Sequence, residues 1–82
     1  MKVTVKVIGR YKDIVGKPEL ELVITAGETL WHVIDVFIRQ YPAVEKDKKI
    51  MMVTKNGVFV NLDTKISESD CITIAPPVVS GG

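Results

Sequence analysis

Hydrophobic and polar residues alternate in residues 2–9, 19–24 and 71–75. A period of two predicts strands that bury one face and expose the other. In the first of these stretches the three valines point inward, so Ile8 points outward with the lysines. In the last stretch the two isoleucines point inward and Cys71 points outward. The pattern therefore predicts three half-buried strands, the first two of which can form a hairpin.

Residues 30–41 change to the helical period, with Pro42 as the predicted stop. The hydroxyl of Thr29 is positioned to accept a hydrogen bond from a first-turn amide, so the helix is predicted to begin near Leu30. The apolar stripe consists of Leu30, Val33, Ile34, Phe37 and Tyr41, with Trp31 and Ile38 at its edge. His32 lies on the opposite, polar side, where an exposed surface histidine is expected.

Asn56-Gly57 separates two apolar runs and is the dipeptide that best tolerates the two positive φ angles of a type I′ hairpin. Strands three and four should flank it, although the pattern leaves open whether Phe59 is core or exposed. Between the first two strands, residues 10–17 predict a connection with one helical turn, in which Gly16 is a natural site for a positive φ. Ile66 is the one apolar anchor of the polar connection before the last strand.

A hairpin, a helix and three further strands form the order expected of an α+β protein with the β-grasp (ubiquitin-like) fold, in which one helix covers a mixed sheet of about five strands. A chain of 82 residues supports one modest core. Pro76 and Pro77 cannot donate ladder hydrogen bonds, so the sheet should end before them. We therefore expect a domain at residues 1–77 and a flexible tail at residues 78–82.

A net charge of +1 provides no overall field for nucleic acid or an anionic membrane, so neither is an expected partner. The mixed charges of residues 44–49 indicate a solvated loop. The apolar runs are too short to span a bilayer, and the N-terminus lacks the features of a signal peptide. These observations predict a cytoplasmic protein.

One cysteine and one histidine cannot assemble a zinc site by themselves, so no metal is expected. A nucleophilic pair of His32 and Cys71 is formally open, but nothing in the sequence brings the two together. An incidental thiol is the simpler interpretation of Cys71, because no basic neighbour is evident to lower its pKa.

The chain ends on PPVVSGG, and two interpretations of this ending stay open. A frayed terminus is one. The other is a probe: the five residues after Pro77 extend about 17 Å, and glycine has no Cβ to obstruct a narrow channel. The carboxylate of Gly82 resists nucleophiles until it is activated. Coupling to AMP would allow a sulfur donor to form a thiocarboxylate, or a lysine amine to form an isopeptide bond.

Landmarks across essentially the whole chain resemble the ubiquitin-like sulfur carriers, most closely the family of the molybdopterin synthase small subunit. They are MKVTVKVIG at the start, YKDIVG, Thr29, NG at 56–57, LDTKI at 62–66, Asp70 and the ending PPVVSGG. The resemblance implies that an adenylyltransferase like the ubiquitin-activating enzymes uses ATP to adenylate Gly82, and that a sulfur donor protein then supplies sulfur. The thiocarboxylate would enter the large synthase subunit and convert cyclic pyranopterin monophosphate to molybdopterin, for molybdenum or tungsten.

The same resemblance implies the functional residues. Gly82 would carry the reactive carboxylate or thiocarboxylate, without a permanently bound cofactor. The tail that binds the partner would comprise Pro76, Pro77, Val78, Val79, Ser80 and Gly81. A partner-binding surface would contain Ile8, Phe59 and Ala75. No autonomous enzymatic activity is expected, because the catalytic groups would belong to the large subunit.

Two departures from the family keep alternatives open. Ser69-Asp70 stands where the family commonly has Gly-Asp, and the tail has one residue more than is usual, which adds about 3.3 Å of reach. A carrier for thiamine or transfer RNA thiolation, or a protein modifier that forms isopeptides through Gly82, is therefore an alternative. An interaction domain with an inert tail is a third.

Overall fold

The protein, described here by a computed structural model for residues 1–77, has the predicted β-grasp fold. Its five strands form one mixed sheet in the order β2-β1-β5-β3-β4. The elements are β1 (Lys2–Val7), α1 (Arg10–Val15), β2 (Glu19–Val23), α2 (Leu30–Gln40), a 3₁₀-helix (Pro42–Asp47), β3 (Met52–Lys55), β4 (Val58–Phe59) and β5 (Cys71–Ala75). The prediction of a separate tail falls on residues 78–82, outside the described residues.

The first and last strands of the fold lie side by side near the centre of the sheet. β1 pairs with β5 in parallel, with Val5 opposite Ile72 and Val7 opposite Ile74. Its other edge pairs with β2 in the predicted antiparallel hairpin. The predicted inward positions of these three strands are buried, because α2 covers that face of the sheet.

Helix α2 supplies the other half of the core. Its buried residues are Leu30, Val33, Ile34, Phe37 and Ile38. Burial of a side chain of this size contributes about 1.5–3 kcal/mol to folding, so this stripe is a major source of stability. The helix ends at Gln40, and Pro42 begins the 3₁₀-helix, as expected for a residue that cannot continue an α-helix. His32 is half-buried rather than fully exposed.

The predicted capping role of the Thr29 hydroxyl is wrong. Thr29 is the N-cap residue, but its side chain makes no capping hydrogen bond. The amides of Leu30 and Trp31 instead donate to the carbonyl oxygens of Thr64 and Leu62, at 3.1 and 3.2 Å. The connection before β5 therefore satisfies the helix start through the backbone, which removes the need for a side-chain cap.

The interpretation of residues 44–49 as a solvated loop is wrong in part: the four charged residues other than Asp47 are exposed, but the stretch is not a loop. Most of this stretch belongs to the 3₁₀-helix, in which Val44 and Asp47 are buried. The Tyr11 hydroxyl donates a hydrogen bond to Asp47 Oδ2 at 2.7 Å, and Arg10 forms an ion pair with the same carboxylate. The hydrogen bond from Tyr11, supported by the charge of Arg10, lowers the pKa of Asp47, and burial with the nearby carboxylate raises the pKa of Tyr11. These contacts attach α1 to the 3₁₀-helix.

The predicted hairpin turn is confirmed, since Asn56 and Gly57 have φ angles of 53° and 82°. Asp70 holds this turn to the start of β5 by accepting hydrogen bonds from Asn56 Nδ2 at 2.9 Å and from the Ser67 amide at 2.8 Å. The Ser67 amide and then Asn56 are the main reasons that the pKa of Asp70 is lowered. Asp70 thus has a structural role in this chain.

Candidate functional site

The tail leaves the domain at the end of the central strand β5. The strand ends at Ala75, as predicted from the two prolines that follow, and Pro76 and Pro77 are both half-buried. The other proposed tail residues are Val78, Val79, Ser80, Gly81 and Gly82, and they lie outside the described part of the chain. The reactive role of Gly82 therefore stays a prediction. The structure does define where the chain leaves the sheet, which is at Ala75.

The outer face of the sheet, opposite α2, carries large exposed apolar side chains. Ile8, just beyond β1, is 53% exposed, and Phe59 in β4 is 64% exposed. Ala75 is half-buried. The open question about Phe59 is thus answered: it is a surface residue. Two exposed side chains of this size on one face make that face a candidate interaction surface.

Strand register brings these residues to the same end of the outer face. The amide of Ile8 donates to the carbonyl oxygen of Ile74 at 3.3 Å, which places Ile8 beside Ala75. Ala75 is paired with Met52 of β3, and Phe59 is paired with Thr54, two residues further along the same strand. Ile8, Ala75, Met52 and Phe59 form what we call the outer apolar surface. It lies directly beside the start of the tail at Pro76.

A row of charged and polar residues lies beside Ile8, Ala75 and Met52 on the outer face of the sheet. Lys6 is paired with Glu19 across the hairpin and with Thr73 on β5. Thr73 is in turn paired with Thr54. This row crosses the sheet and ends at Phe59, which is paired with Thr54. Ile8, Ala75 and Met52 form the adjacent row, so Phe59 lies at the corner of the outer apolar surface.

The sequence analysis did not identify Met52 as part of this surface. It is half-buried and lies on the outer side because its neighbour Val53 is buried against the core. Alternation within β3 could have indicated its side of the sheet. Its position beside Ala75, however, depends on the antiparallel pairing of β3 with β5, for which the sequence carries no local signal.

The structure separates the two residues considered for nucleophilic chemistry. Cys71 is paired with Thr4 on the outer side of the sheet, whereas His32 belongs to α2 on the inner side. Among residues 1–77, no three histidine, cysteine, aspartate or glutamate residues lie close enough to hold a metal ion. Within the same range, no helix has both the length and the apolar character needed to cross a membrane.

Comparison with known proteins finds that residues 5–82 match the ThiS family. The chain is 23% identical over 82 residues to the molybdopterin synthase sulfur carrier subunit of Arabidopsis thaliana, covering all of this chain and 84% of the relative. The solution structure of small archaeal modifier protein 1 from Methanosarcina acetivorans is 30% identical, with a TM-score of 0.77 and coverage of 99% of this chain and 96% of that one.

A third similar structure is a Pyrococcus furiosus protein assigned as molybdopterin converting factor subunit 1. It is 21% identical, with a TM-score of 0.84 and coverage of 95% of this chain and 99% of that one. At this identity the likeness shows the shared fold. Together with the family match it confirms the ubiquitin-like architecture expected from the sequence landmarks.

Proposed function

This chain belongs to the ThiS family, and from that premise we propose that it is a ubiquitin-like sulfur carrier that acts as the small subunit of molybdopterin synthase. It is cytoplasmic and binds no permanent cofactor. Its partners are an adenylyltransferase like the ubiquitin-activating enzymes, a sulfur donor protein and the large synthase subunit. The name of the Arabidopsis thaliana relative, which covers this chain from end to end, supports this pathway.

The chemistry takes place at the carboxylate of Gly82. The carboxylate attacks the α-phosphate of ATP and releases pyrophosphate, which leaves an acyl adenylate. Sulfur at the oxidation level of sulfide displaces AMP and leaves a thiocarboxylate. In the synthase this sulfur passes to cyclic pyranopterin monophosphate, and an oxygen from water restores the carboxylate. The catalytic groups belong to the partner enzymes, and this chain contributes recognition and reach.

The observation that carries the proposal is the position of the outer apolar surface beside the start of the tail. Ala75 belongs to this surface, and the next residue, Pro76, begins the tail. A partner that covers Ile8 and Phe59 therefore receives the tail at the edge of the same contact. The five residues after Pro77 extend about 17 Å, which is enough to enter a buried site while the domain stays outside.

A second function has its own support. The Methanosarcina acetivorans relative is described as a small archaeal modifier protein. The adenylate of Gly82 that accepts sulfur can equally be attacked by a lysine amine to form an isopeptide bond, so a modifier uses the same tail and the same activating chemistry. Sulfur carriers for thiamine or transfer RNA thiolation differ only in the acceptor. An interaction domain with an inert tail is the remaining alternative.

Deletion of Gly82 tests the proposal. The shortened chain should form neither adenylate nor thiocarboxylate, while its thermal unfolding midpoint stays close to that of the full chain, because the core lies within residues 1–77. Both chains are incubated with ATP, the activating enzyme, a sulfur donor, the large subunit and the pyranopterin, and products are measured by intact mass and by molybdopterin formation. Full activity of the shortened chain would refute a carrier role.

A search of native-host lysate for lysines linked to Gly82 distinguishes the two chemistries. A carrier is released unchanged after each cycle, whereas a modifier accumulates as heavier conjugates. Molybdopterin formation with few conjugates supports the synthase subunit. Abundant conjugates without molybdopterin formation would make the modifier the primary function.

A further inference from the structure

Gly9 lies between β1 and α1 and is in contact range of the first residue of the tail. Its backbone has φ 63° and ψ −138°. A Cβ built on Gly9 would lie 3.3 Å from Pro76 Cγ and 3.6 Å from Pro76 Cδ. Gly16 also has a positive φ, of 87°, but a Cβ there would meet nothing within 4 Å. Of these two glycines, only Gly9 lies close to Pro76.

The structure holds Gly9 in place from both sides. On the strand side, the Ile8 amide donates to the Ile74 carbonyl oxygen at 3.3 Å. On the helix side, the Gly9 carbonyl oxygen accepts a hydrogen bond from the Lys12 amide at 3.0 Å. Helix α1 is in turn fixed by the buried Tyr11, which donates to Asp47. Gly9 therefore cannot retreat easily from a group that presses on it.

Pro76 is the residue that would have to move. Its ring fixes its own φ, so displacement of the ring turns the backbone that follows. A displaced Pro76 changes the point from which the chain continues toward Gly82, and an error of about 1 Å at a reacting group can cost about 100-fold in rate.

We infer that Gly9 is a positioning residue: because it lacks a side chain, the Pro76 ring can pack against it, and this contact fixes the place of Pro76, from which the chain continues toward Gly82. This inference rests on the proposed function, because it assumes that Gly82 must reach the active site of an activating enzyme. It assigns Gly9 no contact with ATP or with the reacting carboxylate.

The test compares Gly9→Ala with Gly16→Ala, which places the same side chain at a positive φ without meeting Pro76. Both substitutions strain the backbone, and Gly9→Ala should lower the thermal unfolding midpoint more, because Gly16 has left-handed angles (φ 87°, ψ 6°) whereas Gly9 (φ 63°, ψ −138°) lies outside that region. Adenylation is therefore compared at a temperature at which both variants are folded. Adenylation of Gly82 at saturating chain concentration should fall about tenfold in Gly9→Ala and stay within about twofold of wild type in Gly16→Ala. The dissociation constant for the activating enzyme should change little, because the outer apolar surface is retained.

Removal of the Pro76 ring completes a double-mutant cycle. Pro76→Ala should itself slow adenylation, and adding Gly9→Ala to it should cause no further loss, because the two groups act through one contact. Nuclear Overhauser effects between Gly9 Hα and the Pro76 ring protons should be present in the wild type and in Gly16→Ala. This measurement reports the contact independently of activity.

The outcomes separate the inference from the proposed function. If the wild-type chain is not adenylated by the activating enzyme, the proposed function fails. If the wild type is adenylated and Gly9→Ala behaves like Gly16→Ala, or the loss is additive with Pro76→Ala, the positioning role is overturned. If Gly9→Ala does not fold, the test rests on Pro76→Ala. Adenylation of Pro76→Ala at the wild-type rate would then overturn the inference, because the ring would not be needed.

Discussion

The two faces of the sheet use the same strands for different purposes. On the inner face, Val5 and Ile72 are buried beneath α2. On the outer face, Ile8 and Phe59 are as apolar as the core residues, yet more than half of each is exposed. The difference lies in what covers them: helix α2 covers the inner face, whereas residues 1–77 leave the greater part of these two side chains open on the outer face.

This contrast shows that hydrophobicity alone does not separate a core residue from a recognition residue. Adjacent residues in one strand point to opposite faces. One residue can therefore contribute to the core while the next contributes to binding. Folding and partner recognition can therefore be changed independently by substituting neighbouring residues. The predictions below use such neighbours as controls for one another.

The largest effect is expected at the centre of the inner face. Ile72→Ala should lower the free energy of unfolding by about 2–5 kcal/mol, because it leaves a cavity between the central strand and α2. Thr73→Ala, one residue along on the outer face, should change it by about 0.5 kcal/mol or less. Urea unfolding measures both, and equal losses at the two positions would show that the faces do not differ as described.

A smaller but more specific effect is expected on binding. Phe59→Lys should weaken affinity for the large synthase subunit by about 10- to 100-fold, because it replaces a large aromatic contact of the interface by a charge. Val58→Lys is the matched control, because Val58 is 59% exposed in the same strand but points to the opposite face. Isothermal titration calorimetry on both folded variants measures the two affinities. If Phe59→Lys binds with wild-type affinity, the outer apolar surface is not part of the interface.

The smallest effect concerns the carboxylate that joins the ends of the sheet rather than either face. The lowered pKa of Asp70 means that its ionised form stabilises the fold above the unfolded carboxyl pKa of about 3.9, and that this contribution is lost as the pH falls through the lower folded-state value. Asp70→Asn should cost about 1 kcal/mol at pH 7, after allowance for solvent screening, and less at pH 3.

Urea midpoints at pH 7 and pH 3 measure this difference. The lowered pKa of Asp47 has the same sign, so the variant should still lose stability in acid, only less than the wild type. A variant whose midpoint falls as far as that of the wild type between the two pH values would show that Asp70 is not linked to folding in this way.

Features decided by neighbouring residues were predictable from the sequence. Alternation located the buried positions of β1, β2 and β5, and Asn56-Gly57 located the hairpin turn, because period and turn chemistry are local properties. Contacts between distant segments could not be predicted in this way. The Thr29 hydroxyl is unused because backbone from residues 62–64 arrives at the helix start, and Asp47 is buried because Tyr11, far earlier in the chain, donates to it.

The candidate site divides in the same way. Alternation placed Ile8 on the outer face, and the ending PPVVSGG suggested that Gly82 carries the reactive carboxylate. The grouping of Ile8 with Phe59 and Ala75 was drawn from family resemblance, because it depends on the parallel register of β1 with β5 and on the pairing of β3. Met52 and Gly9 were missed for this reason: each gains its significance from a residue that is remote in sequence.

The parallel pairing of β1 with β5 also has a consequence for synthesis on the ribosome. β1 is made well before its central neighbour β5, and contacts between segments so distant in sequence form slowly. Until Cys71–Ala75 is available, β1 and β3 lack the strand that joins them. A nascent chain that stalls earlier would keep apolar strand edges exposed, and such species are prone to aggregation and to recognition by chaperones. The sheet can therefore be completed only after β5 has been synthesised.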